Sequence, residues 1–162
     1  VRKFFMMNSI LKLFISILIP LLIGGSAGFF TTSGVNGWYA LANKPSFNPP
    51  NWIFAPVWTT LYILMGIALY LVWKSTATAS IKQTAILLFV VQLTLNFFWS
   101  ILFFKFQLTG WAFVEIIAMW VAILFTILWF GKISSTAAWL LVPYICWVSF
   151  ASLLNYSIWK LN

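Results

Sequence analysis

The sequence predicts an all-α integral membrane protein, folded as one domain with five membrane-spanning helices. Of its 162 residues, 64% are hydrophobic and only 6% are charged, whereas soluble domains are about 25% charged. Five hydrophobic blocks each approach the roughly 20 residues that cross a bilayer as a helix. Helices are expected because the backbone in lipid must satisfy its own hydrogen bonds. The sequence shows no strand pattern and no internal repeat.

The first block covers residues 10–30 and follows Arg2 and Lys3, as the apolar core of a signal peptide would. It is too long for a typical signal core and lacks a clear cleavage site. We therefore expect a retained helix. Gly24 and Gly28 are four residues apart, which favours close helix packing within the chain or in a dimer.

The connection to the second block, residues 31–52, is the only long one. The stretch from Trp38 to Trp58 holds four of the six prolines and six aromatic residues. Proline fixes φ and disfavours the α region for the preceding residue, so we expect a stiff, extended connection. Trp and Tyr favour the membrane–water boundary. The stretch is either a lid over a flat apolar ligand or a plain connector with an aromatic belt.

The remaining blocks carry polar and aromatic side chains at helical spacing. Polar groups in lipid usually face protein or a cavity, and residues four apart share a helix face. These faces either converge on a pocket for an aromatic ligand with polar edges or hold helices together. Both interpretations stay open for Gln92 and Asn96. The blocks cover residues 53–73 (Trp58, Tyr62, Met65), 84–104 (Gln92, Asn96, Trp99, Ser100), 111–130 (Glu115) and 137–159 (Trp147, Ala151, Asn155).

The ionisable residues exclude most enzyme chemistry. Glu115 is the one acid, Cys146 is the one cysteine, and there is no histidine. Metal sites need several such ligands, and a nucleophilic triad needs a base, so we expect no metal and no required cofactor. We expect Glu115 to pair with another helix, with Lys105 for example, or to stay protonated.

The net charge of +8 comes from basic residues scattered singly between the blocks. Because they form no patch, a nucleic-acid partner is not expected. Counted as topology signals, they place the N-terminus in the cytoplasm and the first connection outside, for a protein of the plasma membrane. Six lie on the N-terminal side (Arg2, Lys3, Lys12, Lys74, Lys82, Lys132) and three on the other (Lys44, Lys105, Lys160).

The end of the fifth block fits a proposed cholesterol pattern at Leu154, Tyr156 and Lys160. The pattern has hypothesis status only. An ordinary helix end with a Tyr–Lys interface anchor has the same residues, and we favour that interpretation.

Several motifs in the right order resemble the TspO/MBR family, the translocator proteins or peripheral-type benzodiazepine receptors. The resemblance covers residues 38–162. Glu115 stands where the family commonly has Asp, and Asn51 stands where animal members have His. The matching stretches are Trp38-Tyr39, Lys44-Pro45-Ser46-Phe47-Asn48-Pro49-Pro50-Asn51-Trp52, Pro56-Val57-Trp58-Thr59-Thr60-Leu61-Tyr62, Gln92-Leu93 with Asn96 and Trp99, and Leu140-Leu141-Val142-Pro143-Tyr144 with Trp147, Phe150-Ala151 and Leu154-Asn155-Tyr156.

The resemblance implies a five-helix bundle, commonly a homodimer. It also implies a pocket under the first connection that binds protoporphyrin IX, isoquinolines or benzodiazepines. Gln92 joins the candidates because of its place in the polar stripe. By position, the implied pocket residues are Trp38, Tyr39, Trp52, Trp58, Tyr62, Asn96, Trp99, Trp147 and Ala151, and the implied sterol-pattern residues are Leu154, Tyr156 and Lys160.

Three functions follow from the resemblance. The first is a receptor or sensor that binds tetrapyrroles. The second is light-dependent porphyrin breakdown that involves Trp58 and Trp147, although no general acid or base is present to support ordinary turnover. The third is transport of porphyrin or sterol-like ligands, although the inverted repeats usual in transporters are absent.

Overall fold

The computed structural model describes the backbone from Arg2 to Asn162 and the side chains from Ser9 onward. The predicted topology residues Arg2 and Lys3 therefore lie outside the described side chains. Within the described backbone no residue lies in a β-strand. Five helical segments are long and apolar enough to cross a membrane: Ser9–Asn36, Asn51–Lys74, Ala79–Lys105, Thr109–Gly131 and Ser135–Leu161. The predicted fold class, an all-α membrane protein, is confirmed.

The helices extend beyond most of the predicted bounds. The predicted loop 31–52 is wrong at its start, because residues 31–36 continue α1; Thr31 Oγ1 donates to Ala27 O at 3.1 Å, and Gly34 packs against Phe104. In order, the elements are α1 (Arg2–Asn36), α2 (Trp38–Leu41), a 3₁₀ turn (Asn51–Ile53), α3 (Phe54–Lys74), α4 (Ala79–Ser100), a π-helical turn (Ile101–Lys105), α5 (Thr109–Gly131), α6 (Ser135–Leu140) and α7 (Val142–Leu161).

The predicted third and fifth spans are not uniform α-helices. Pro143 divides the fifth span into α6 and α7, because proline has no N–H to continue the ladder. The third span ends in the π-helical turn Ile101–Lys105, which buries both Phe103 and Phe104. Such turns are frequent at functional sites, and this one lies beside the candidate site.

The spans pack side by side in a closed ring. α1 contacts α3 and α4, α3 contacts α6, and α5 contacts α4, α6 and α7. Close approach of α1 and α3 depends on glycine: a Cβ on Gly24 would overlap the Tyr62 ring, and one on Gly66 would overlap Ile17 Cα. A Cβ on Gly28 meets open space, so only Gly24 of the predicted glycine pair makes a close contact.

Candidate ligand-binding site

The connection between α1 and α3 covers one end of the bundle. Trp38 Nε1 donates to Phe104 O at 2.9 Å and ties the connection to the π-helical turn. The Tyr39 side chain is 1% exposed, and its hydroxyl donates to Asn48 Oδ1 at 2.6 Å. Burial raises the pKa of Tyr39 to about 12, so the phenol is a neutral donor at physiological pH. The connection is therefore held from its inner side.

The Lys44 side chain caps the C-terminal end of the short helix α2. Its ammonium donates to the carbonyl oxygens of Tyr39 at 2.6 Å and of Ala40 and Ala42 at 3.2 Å each. These carbonyls lie at the C-terminal end of α2, where a cation complements both the free acceptors and the helix dipole. Lys44 thereby fixes the shape of the connection above Tyr39.

An amide pair joins the connection to the end of α7. Asn43 N donates to Asn162 Oδ1 at 2.9 Å, and Asn162 Nδ2 donates back to Asn43 O at 3.0 Å. Asn43 Nδ2 also donates to Leu161 O at 3.2 Å. Sequence reasoning missed this pair because two asparagines 119 residues apart carry no local signal of contact.

Beneath the connection lies a small cavity of about 20 Å³, here called the aromatic cavity, with room for little more than one water molecule. It brings together five predicted residues: Tyr39, Trp58, Trp99, Trp147 and Ala151. Two further walls were also named from the sequence, Asn155 in the polar stripe of the fifth block and Leu154 in the sterol pattern. Sequence reasoning missed Phe54, Phe103 and Phe104, since phenylalanine is common in any spanning helix.

The aromatic rings around this cavity are in direct contact. Trp99 stacks on Phe103 with ring centroids 5.4 Å apart. Trp58 lies 6.5 Å from Trp99, and Phe54 meets Trp147 edge to face at 6.2 Å. These separations are in the favourable range for aromatic pairs. The cavity is thus a set of π surfaces on which a flat ring can stack.

A second, lateral cavity of about 250 Å³ lies between α1 and α3. Trp58 and Tyr62, stacked at 5.6 Å and 24°, form part of its wall. Phe54 and Trp58 line both cavities and so form the partition between them. The wall that α1 contributes was not predicted, because small and aliphatic residues carry no sign of a ligand site. This wall consists of Leu21, Gly24, Gly25, Ala27, Gly28, Thr31 and Val35.

Asn96 joins three helices. Its Oδ1 accepts from Tyr62 Oη at 2.7 Å and its Nδ2 donates to Tyr144 Oη at 3.1 Å. The Tyr144 hydroxyl in turn contacts Met119 Sδ at 3.7 Å. Of the two interpretations of Asn96, the structure favours a link between helices, and the residue reaches the ligand site only through Tyr62.

A second buried link supports Trp99. Its Nε1 donates to Asn155 Oδ1 at 3.0 Å, and Asn155 Nδ2 donates to Thr109 O at 2.8 Å. The indole plane of Trp99 is therefore fixed by α7 and α5 together. A wall that is already oriented costs little conformational entropy when a ligand stacks on it.

Four residues with described side chains carry buried polar atoms that have no hydrogen-bond partner. Trp147 is a residue of the aromatic cavity wall. Gln92 is 1% exposed but lines neither cavity. The expected pairing of Glu115 with Lys105 does not form: both carboxyl oxygens lack a partner, and the Lys105 ammonium lies 5.0 Å from the Phe30 ring centroid instead. The atoms are Ser16 Oγ, both amide atoms of Gln92, both carboxyl oxygens of Glu115 and Trp147 Nε1.

Other predicted residues lie outside both cavities. Trp38 anchors the connection, and Trp52, in the 3₁₀ turn, is 73% exposed. Leu154 is the exception and lines the aromatic cavity, whereas Tyr156 and Lys160 are exposed. Of the sterol-pattern residues, Tyr156 and Lys160 share one surface, with the Lys160 ammonium 5.7 Å from the Tyr156 ring centroid, and Leu154 faces away from it. Among the described residues no three His, Cys, Asp or Glu side chains come together as a metal site.

Comparison with known proteins gives extensive similarity. The model of the TspO/MBR family matches residues 16–160. "Tryptophan-rich protein TspO" of Archaeoglobus fulgidus is 47% identical over 95% of this chain and 99% of its own length. "Translocator protein" of Ovis aries is 40% identical over 87% and 86%, and "Tryptophan-rich sensory protein" of Cereibacter sphaeroides is 33% identical over 77% of each chain.

Proposed function

Because this chain belongs to the TspO/MBR family, we propose that it is a membrane receptor or sensor that binds tetrapyrroles. Protoporphyrin IX and related flat, apolar ligands would bind within the bundle, under the connection between α1 and α3. The name of the Cereibacter sphaeroides relative, a sensory protein, supports a sensing role. The protein would require no cofactor for this role, and the tetrapyrrole would be its ligand.

The observation that carries this proposal is the aromatic cavity, with the unpaired indole N–H of Trp147 among its wall residues. Indole and phenyl planes suit a flat conjugated ring. Trp147 Nε1, buried without a partner, suits an acceptor on that ring, because an unmade buried hydrogen bond is costly. A receptor site needs this combination of stacking surface and orienting polar group.

The aromatic cavity must enlarge to hold such a ligand. Pockets for drug-sized ligands measure about 300–1,000 Å³, far more than the 20 Å³ of the aromatic cavity. The lateral cavity of 250 Å³ lies directly behind Phe54 and Trp58. Rotation of these two side chains would join the two cavities into a space just below the lower end of that range, so binding also requires a small separation of the helices.

Trp147→Phe tests the proposal. We expect protoporphyrin IX to bind about tenfold more weakly, because the variant keeps an aromatic plane but removes the free N–H. The measurement is quenching of tryptophan fluorescence in the dark, titrated on detergent-purified protein.

The matched control is Trp52→Phe, which removes the same group from a residue that is 73% exposed and lines neither cavity. Its affinity should equal that of the wild type. Equal affinity of the Trp147 and Trp52 variants would reject the site, and a wild type without saturable quenching would reject tetrapyrrole binding altogether.

Light-dependent porphyrin breakdown is a second candidate, supported by the position of Trp58 and Trp147 in the walls of one cavity. An indole stacked on an excited porphyrin is placed to donate an electron. Illumination of the same titration tests it: the porphyrin should bleach more slowly in Trp58→Phe. Equal bleaching rates would exclude a specific role for Trp58.

We also propose a cytoplasmic N-terminus, an outward-facing first connection, a bacterial plasma membrane and a homodimer. Lys12 lies over the Trp73 ring and Lys74 over the Tyr70 ring, so both belong to the same end of the bundle. Basic residues concentrate on the cytoplasmic side of membrane proteins. Labelling in intact cells of the exposed Lys105, which the charge count puts on the same side as the first connection, would test the orientation.

A further inference from the structure

The lateral cavity has a recessed wall on α1. A Cβ placed on Gly25 or Gly28 meets no atom within 4 Å, although both residues line the cavity. Gly25, one of the residues that line the cavity, is exposed at the outer surface of the bundle. Because α1 and α3 both have the length and composition of membrane-spanning helices, we expect this surface to face lipid.

The opposite approach, through the connection above the cavity, is closed by several hydrogen bonds. Trp38 is tied to the π-helical turn, and Tyr39 is tied to Asn48. Asn43 is tied to Asn162 and Leu161 at the end of α7. Opening this side requires breaking these bonds together, whereas the lateral side has an existing cavity.

Phe54 and Trp58 line both the lateral cavity and the aromatic cavity, so their side chains stand between the two. The Phe54 ring meets Tyr39 and Trp147 edge to face at 6.4 and 6.2 Å, and Trp58 stacks on Tyr62 in the lateral wall. Side-chain rotations take place in nanoseconds when there is space beside the ring. The lateral cavity provides that space.

We propose that flat apolar ligands enter the aromatic cavity from the bilayer, through the opening between α1 and α3, with Phe54 and Trp58 as the gate. This inference rests on the proposed binding function. The stacked Trp58–Tyr62 pair gives the entrance a flat wall, which matches a planar ring better than a flexible acyl chain. A ligand already dissolved in lipid never needs to cross the hydrogen-bonded connection.

Gly28→Leu tests the route, because Gly28 lines the lateral cavity and a Cβ there meets no atom within 4 Å, so the added side chain would occupy part of the cavity. We expect association of protoporphyrin IX to slow about tenfold, with dissociation slowed to the same extent, because an obstructed entrance is also an obstructed exit. Stopped-flow quenching of tryptophan fluorescence in the dark, with protein in liposomes and porphyrin delivered from donor vesicles, measures both rates.

Two variants complete the experiment. Ser26→Leu adds a leucine to the exposed side of α1 outside the cavity and should leave both rates unchanged. Asn162→Ala removes the amide pair that holds the connection and should also leave association unchanged. Gly25→Leu repeats the obstruction at a second position in case Gly28→Leu disturbs the helix.

The outcomes separate the route from the binding function. Faster association in Asn162→Ala together with unchanged rates in both glycine variants would overturn the lateral route and favour entry through the connection. Weaker binding in Gly28→Leu through faster dissociation alone would place Gly28 in the bound site, which also overturns the route. No saturable quenching by the wild type would instead reject the proposed function itself.

Discussion

Replacing Gly66 by alanine is expected to lower the free energy of unfolding by about 3 kcal/mol. The added Cβ would overlap Ile17 Cα and lie 2.8 Å from Ser16 O. Both are backbone atoms of α1, so no side-chain rotation relieves the clash and the two helices must separate. Overpacking of this kind outweighs the gain of about 1 kcal/mol that alanine normally brings to a helix interior. Unfolding by SDS in mixed micelles, followed by far-UV circular dichroism, measures the change.

Gly25→Ala is the matched control, because its Cβ meets no atom within 4 Å. This variant should be neutral or slightly more stable than the wild type. If the Gly66 and Gly25 variants unfold at the same SDS fraction, close contact between α1 and α3 at Gly66 does not exist in the protein.

Asn96→Leu is expected to destabilise the fold by about 2 kcal/mol. The substitution keeps the side-chain size but removes both bonds of the amide, so the hydroxyls of Tyr62 and Tyr144 lose their amide partner in the bundle interior. The average hydrogen bond between membrane helices is worth only about 0.6 kcal/mol. The larger effect is expected here because two polar groups stay buried after their partner is gone.

A triple variant separates this explanation from loss of packing. Adding Tyr62→Phe and Tyr144→Phe to Asn96→Leu removes the abandoned hydroxyls and should restore most of the lost stability, because replacing all partners by apolar groups is nearly neutral. The same SDS unfolding assay applies. A triple variant less stable than Asn96→Leu would contradict the assignment of Asn96 as a link between helices.

Gly66 and Asn96 both control how α3 packs in the bundle. Gly66 sets how closely α1 approaches α3, and Asn96 sets how α3 and α7 meet α4. The lateral cavity lies along the first contact, on the part of α3 before Gly66 that carries Trp58 and Tyr62. Changes at either position therefore reach the ligand site through Tyr62, which touches Gly24, Trp58 and Asn96.

The sequence by itself determined the class of the protein, its five spans and its family. These properties are local: span length and apolar composition decide whether a segment belongs in lipid, and motif order identifies the family. The burial of Gln92, Asn96 and Ser100 also followed from the sequence, because residues four apart share a helix face.

Helix ends and breaks were harder to predict. The continuation of α1 to Asn36 depends partly on packing of Gly34 against Phe104, seventy residues away in the chain. No residue in the sequence marks the π-helical turn after α4. Pro143 does mark the division of the fifth span, but the hydrophobic block is long enough to be taken for one continuous helix. Tertiary contacts override local signals at such positions because packing stabilises the residues at a helix end by more free energy than an unfavourable helix propensity costs.

Only the tertiary structure decided which aromatic residues surround one cavity. Trp52 and Trp58 are six residues apart, yet Trp52 faces outward and Trp58 stands between two cavities. Asn43 and Asn162 hold the connection in place, although nothing in the sequence indicates that they meet. The lateral cavity is lined in part by glycines, which carry no polar group that would indicate a site. Each of these depends on how the helices are rotated and spaced against one another, a property set by packing across the whole bundle and by no single segment.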